Sequence, residues 1–219
     1  MTPIRTSRLN EIWRRLRRSA RALRRDASGV AAVEFALIFP IMLVAFFGTV
    51  EICAAVAIDR KVTLTARTIS DLTSQQQSTV ASANLTGIFT YGIYILAPYP
   101  TSPLKEQVSE IYVDSNGKAT IKWSQGATIS GNTVTLVASS RNYNDDVTSV
   151  VPAALLVKQT YLIFSEIKYQ YLPVGGGYVM STAGINLSDV SYTRPRQSTC
   201  IVDTDVNKPV LVAGSCPLT

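Results

Sequence analysis

The sequence predicts an α+β protein: one long N-terminal helix, crossing a membrane and continuing outside it, packed on a mainly antiparallel β-sheet domain. Three observations carry that expectation. Residues 30–50 form a nearly continuous apolar run, the residues after it place apolar side chains at steps of three and four, and the chain beyond residue 78 alternates like strands around an Asn-Gly turn. A length of 219 residues accommodates one membrane segment and one domain of roughly 130 to 150 residues, an ordinary size for a folding unit.

The first segment, residues 1–28, is a basic arm. Its nine arginines, from Arg5 to Arg25, are opposed only by Glu11 and Asp26, so it carries +7 of the formal +6, and everything from Gly29 onward sums to −1. Basic charge beside an apolar run follows the positive-inside rule, which holds such flanks in the cytoplasm, where anionic lipid attracts them. Nucleic acid is not expected as a partner, because no basic surface studded with aromatic residues follows in the domain. The chain contains no histidine. That removes the commonest general base and metal ligand, and imidazole-based hydrolysis with them.

The second segment, 29–58, is read as the transmembrane helix. Its core VAAVEFALIFPIMLVAFFGTV has about the ~20 residues needed to cross a ~30 Å hydrocarbon layer. Signal sequences have apolar regions of only ~7 to 15 residues, so a span is expected although Ala55-Val56-Ala57 resembles a signal-peptidase site. Glu34 stands one turn inside the run, where a carboxylate costs about 3 kcal/mol on insertion scales, less near the interface. It either snorkels toward the headgroups beside Arg24 and Arg25 or serves as a partner charge. Pro40 removes one backbone hydrogen bond and should kink or loosen the helix. Glu51 falls near the far interface and is expected to be solvated, and Cys53 reads as a small hydrophobe.

In the third segment, 59–77, Ile58, Val62, Ala66, Ile69 and Leu72 make one apolar face on a continuing helix, which the polar Gln75-Gln76-Gln77 closes. The exported domain, 78–219, follows. Its clearest hairpin runs from Glu110 through Ser115-Asn116-Gly117 to Trp123, with Ile121 and Trp123 on a shared face. Residues 160–172, rich in Tyr, Ile, Leu and Phe, fit a long strand. Residues 93–97 and 133–138 are shorter strand candidates, and a helix is expected after Pro152. Cys200 and Cys216 lie in a loop-rich tail on what would be the oxidising side, so a disulfide contributing ~3 kcal/mol in the chain-entropy model is the expectation, against two free thiols.

Several residues resemble those of the TadE/TadG-like proteins of Tad (tight adherence) pilus systems. They are the run from Arg24 through Asp26, Ser28, Gly29, Val30 and Glu34 to Leu37, with Pro40; then Asp59-Arg60-Lys61-Val62, Ala66-Arg67 and Ser70-Asp71-Leu72-Thr73-Ser74-Gln75. Glu166-Ile167-Lys168-Tyr169-Gln170-Tyr171 and Arg194-Pro195-Arg196 before Cys200 are similar as well. The resemblance implies a pilin-like or pseudopilin-like component of a bacterial fibre-assembly machine, single-pass in the inner membrane, with a cytoplasmic N-terminus and a periplasmic domain that can enter the pilus. Its implied partners are the membrane, other pilus subunits, platform proteins and, in processed members, a prepilin peptidase. That peptidase cuts after a glycine whose fifth following residue is Glu, a spacing that Gly29 and Glu34 meet. Cleavage would free an ammonium on Val30, which a neighbour's Glu34 can neutralise inside lipid and so set register between subunits. The larger relatives are instead simply anchored, and both outcomes remain open at this stage.

No cofactor, small-molecule substrate or enzymatic activity is expected. Gly175-Gly176-Gly177 lacks the Lys-Ser/Thr of a phosphate loop and reads as a turn. Asp145-Asp146 reads as a solvated loop, and Asp203 and Asp205 lack the Gly and distal Glu of an EF-hand calcium loop. The alternative to a pilus component is an anchored envelope domain for ligand binding or cell-wall tethering, which a deep apolar pocket would favour.

Overall fold

The computed structural model describes residues 14, 17 and 19, 29–173 and 184–204. It divides into two compact units, 1–50 and 51–219. In the first, helix α1 (Val30–Ser74, 45 residues in all) begins directly after Gly29 and runs through Pro40 without a break. Its apolar side chains are exposed, Leu37 at 70%. The hydroxyl of Thr49 donates to the Ala45 carbonyl at 2.8 Å, which satisfies the one hydroxyl of this stretch within the helix itself.

In the second unit the same helix becomes one wall of a core. Ile58, Val62, Ala66 and Ile69 are fully buried, at the three-and-four spacing read from the sequence, and Leu72 is partly buried. After the short strand β1 (Thr79–Val80), helix α2 (Ser82–Leu96) buries Leu85, Ile88, Phe89, Ile93 and Leu96. Of the strand candidate 93–97, residues 93–96 are thus the last turn of a helix and Ala97 is its C-cap. Their apolar run suits either element, and the face that Ile93 shares with Phe89 and Leu85, four and eight residues back, decides it.

The sheet is fully antiparallel, in the order β4-β3-β2-β5-β6: β4 (Thr133–Val137), β3 (Ala119–Ser130), β2 (Leu104–Val113), β5 (Thr160–Tyr171) and β6 (Ile185–Thr193). The strands expected at 133–138 and 160–172 are therefore present, and the α+β reading stands. Strand β7 (Val202–Asp203) pairs in parallel with β1. After Pro152 only a single 3₁₀ turn forms, Ala153–Leu155.

The Asn-Gly hairpin forms as read. Gly117 has φ +87°, a left-handed conformation that side chains with a Cβ resist, and Asp114 anchors the turn by accepting from the Asn116 and Lys118 amides at 2.8 Å each. The shared face of Ile121 and Trp123 does not. The register shifts between Glu110 and Ile111, which oppose Trp123 and Ile121, leaving Lys122 as the extra residue of a bulge. One inserted residue reverses which face follows. Trp123 therefore joins the core beneath the helices, while Ile121 joins a second cluster with Ile111, Val113, Val147, Val151, Leu162 and Phe164.

Candidate functional site

The first element of the site is the start of α1. Gly29, Val30 and Glu34 are all exposed, and Glu34 sits one turn after Val30 on the helix. Pro40 lies within the same exposed stretch, and Cys53 is a free, exposed cysteine. Cys200 is buried and disulfide-bonded, while Cys216 lies outside the described residues, as do Gly175-Gly176-Gly177 and Asp205.

The second element is the set of contacts that attach α1 to the sheet, and most were not singled out by sequence reasoning. Lys61 donates to the Ile95 and Ala97 carbonyls at 2.7 and 2.8 Å. It thereby closes the C-terminal end of α2, where carbonyls lack helical partners and a cation is favoured. Ser165 of β5 donates to the Ala66 carbonyl at 2.6 Å inside the core. At the end of α1, the hydroxyls of Ser70 and Thr193 meet, Arg196 pairs with Asp71, and the Arg196 amide donates to the Ser74 carbonyl at 2.9 Å. The segments 70–75 and 194–196, separate in the chain, are thus in direct contact.

Glu51 departs from its expected solvation. It accepts a 2.5 Å hydrogen bond from the Tyr171 hydroxyl, and is half-buried. Burial, followed by the Glu51 carboxylate, pushes the Tyr171 phenol up to about 12. The solvated loop at 142–146 is as read: Asp146 is exposed, bonded by the Thr148 amide and hydroxyl, and faces Lys118 at 3.5 Å.

Two carboxylates were missed altogether. Glu106 and Glu110 of β2 alternate with Leu104 and Val108 and so point into the helix-side core. Glu106 is 2% exposed, neither of its oxygens has a hydrogen-bond partner, and burial pushes it up to about 9. Its side chain lies against Gly92 of α2, where an added Cβ would fall 1.8 Å from Oε1, so a larger residue there would require the Glu106 carboxyl to move. Glu110 is fully buried, accepts from the Ile201 amide at 2.6 Å and is pushed up to about 8, chiefly by burial. Trp123 Nε1 donates to the Ile201 carbonyl at 2.6 Å, so both backbone polar groups of Ile201 are held from the sheet. The period-2 pattern of β2 contained this signal, since any residue between inward Leu104 and Val108 at that spacing must also face inward. No group of three or more metal-ligating side chains occurs among the described residues.

Residues 29–70 match the TadE family, described as TadE-like protein. The match begins at Gly29 and ends at Ser70, so it covers most of α1 and none of the sheet. It bears out the resemblance to TadE/TadG-like proteins read from the sequence over those residues. No curated protein and no solved structure matches the chain.

Proposed function

We propose that this chain is a membrane-anchored, pilin-like minor subunit or assembly factor of a Tad-type pilus system, working through helix contacts in the membrane and domain contacts outside it. The observation that carries the reading is the division of labour along α1. Its first part, beginning at the TadE-like boundary, is apolar and exposed, with a hydropathy and length suited to a bilayer, and its second part is built into a folded domain. The arginine-rich arm sets the N-terminus in the cytoplasm and the sheet domain in the periplasm of the inner membrane.

Gly29 and Glu34 support processing of the pilin kind, with Glu34 neutralising the new ammonium of a neighbour's Val30. The mature N-terminus, measured by intact mass and terminal peptide sequencing from native membranes, separates the two roles. A start at Val30 makes the chain a processed subunit, and a start at Met1 makes it a permanent anchor. Glu34→Ala is expected to leave membrane insertion intact while reducing surface pili. Normal piliation in that variant removes the register role. A bridge between Cys200 and Cys216 is part of the same reading, and non-reducing peptide mapping should show the two peptides linked.

A further inference from the structure

The seam between β2 and α2 combines two features that each weaken a fold. Glu106 points from the middle of the sheet into the helix-side core, 2% exposed, and neither carboxyl oxygen has a hydrogen-bond partner among the described residues. A buried polar group left in that state lowers stability in a way that an apolar residue of the same shape would not. Against it lies Gly92, buried in the body of α2, where glycine is a poor helix former. The two belong together: a Cβ at position 92 would fall 1.8 Å from Oε1 and 2.8 Å from Cδ of Glu106, so the carboxyl occupies the place of the missing side chain.

No neighbouring cation holds Glu106 ionised. Its row continues across β3 and β4 as Ala127 and Leu136, and across β5 and β6 as Ile167 and Asp189, whose carboxylate accepts the Val190 amide at 2.8 Å. Among the titratable groups on this side of the sheet, Glu110 stands four residues along β2 and accepts from the Ile201 amide, and the Tyr169 phenol donates to the Pro100 carbonyl at 2.9 Å. From α1, Lys61 is engaged with the Ile95 and Ala97 carbonyls and the Tyr99 ring. Helix α2 itself contains no Asp, Glu, Lys or Arg. Burial therefore pushes Glu106 up to about 9 without an opposing charge.

When the proton leaves, one wall of the seam must yield, because a lone carboxylate in an apolar core is far less stable than a neutral acid. Strand β2 is paired along its length with β3 and β5, so it is the fixed wall. Helix α2 is the weaker one. Its sequence SANLTGIFTYGIYIL has two glycines, two threonines and three isoleucines, all below alanine and leucine in helix propensity, and Ala81 at its N-cap makes no side-chain cap. It stays helical through the packing of Leu85, Ile88, Phe89, Ile93 and Leu96, and the strand that leads into it, β1, is two residues long.

We propose that Glu106 and Gly92 form a proton-controlled release for α2: loss of the Glu106 proton frees the helix from the sheet and opens the apolar face beneath it, while the sheet stays paired. The closed state holds the proton up to about 9 and the open state releases it near the ordinary 4.5, so opening rises with pH between those values. Amide hydrogen exchange of the full chain in detergent, read peptide by peptide by mass spectrometry and divided by intrinsic rates, tests this from pH 6 to pH 8. The amides of α2 are expected to open about tenfold more often per pH unit, and at pH 8 at least about tenfold more often than those of β5. In Glu106→Gln the pH dependence of α2 is lost. Equal opening of α2 and β5 would reduce the effect to global unfolding and overturn the proposal, as would a flat profile in the parent or an unchanged slope in Glu106→Gln. A pair of variants tests the contact at constant pH. Gly92→Ala should raise the opening of α2 several-fold, although alanine favours a helix, and in a Glu106→Ala background the same change should lower it. The same sign in both backgrounds also overturns the proposal.

Discussion

The two parts of α1 use similar side chains to opposite ends. Between residues 30 and 50 large apolar groups such as Phe35, Leu37, Ile41 and Phe46 are all exposed, whereas Ile58, Val62, Ala66 and Ile69 are inaccessible to solvent. Burial of the second set against α2 and the sheet stabilises the domain, by roughly 1.5–3 kcal/mol for each large side chain. Among the described residues the first set is left exposed, so that term would have to come from a surrounding apolar phase such as lipid. Apolarity alone therefore does not say whether a helical residue belongs to a core or to a bilayer. The width of the apolar surface narrows the choice: a stripe facing one way marks a helix lying on a core, and an apolar surface all round marks one surrounded by apolar material on every side, in a bilayer or within a large core.

The contrast is broken most strongly by truncating one side chain in each part. Ile69→Ala should cost the domain about 2–5 kcal/mol, because it leaves a cavity in a packed core. Leu37→Ala should leave the denaturation midpoint of the domain unchanged. Chemical denaturation of the detergent-solubilised chain, followed by Trp123 fluorescence, compares the two. Equal losses would mean that residues 30–50 are also packed within the folded chain.

An effect of opposite sign is expected from the buried acids. Glu106 and Glu110 hold protons in the folded state up to about 9 and about 8, and release them near the ordinary 4.5 when unfolded. Between those values the folded state binds more protons, so the contribution of these groups to stability is greatest below 4.5 and is lost as pH rises toward the folded-state values. Glu106→Gln keeps the shape, never ionises, and should make the domain more stable than the parent at pH 8 with a shallower pH profile. A parent profile that is flat from pH 5 to 8 would contradict the buried, protonated state. The smallest effect belongs to the exposed end of α1: Arg196→Ala removes the pair with Asp71 and should cost no more than about 1 kcal/mol, less at high salt. The backbone bond from residue 196 to Ser74 survives that change.

Much of this plan was legible in the chain. The apolar run, the stripe at Ile58, Val62, Ala66 and Ile69, and the Asn116-Gly117 turn are local patterns, each fixed by the period of its element or by the steric demand of one turn. What escaped depended on distant partners. Residues 93–96 carry too few periods to tell helix from strand, and the bulge at Lys122 separates Ile121 from Trp123 for reasons of pairing with β2. Glu51 was read as solvated because its partner, Tyr171, lies far along the chain. Glu106 was not singled out, although its alternation with Leu104 and Val108 places it on the inward face.

The sequence by itself determined an α+β chain with a long helix, apolar throughout its first part and one-sided in its second, a basic arm before it, and a TadE-like beginning at Gly29. Only the tertiary structure decided that Lys61 closes α2, that Asp71 and Arg196 meet, that two glutamates are buried without charge, and that Gly92 lies against one of them. Periodicity and turn chemistry act within a few residues, so they can be read along the chain. Partnership, register and dielectric arise between residues far apart in it, and exist only once the sheet and helices have packed.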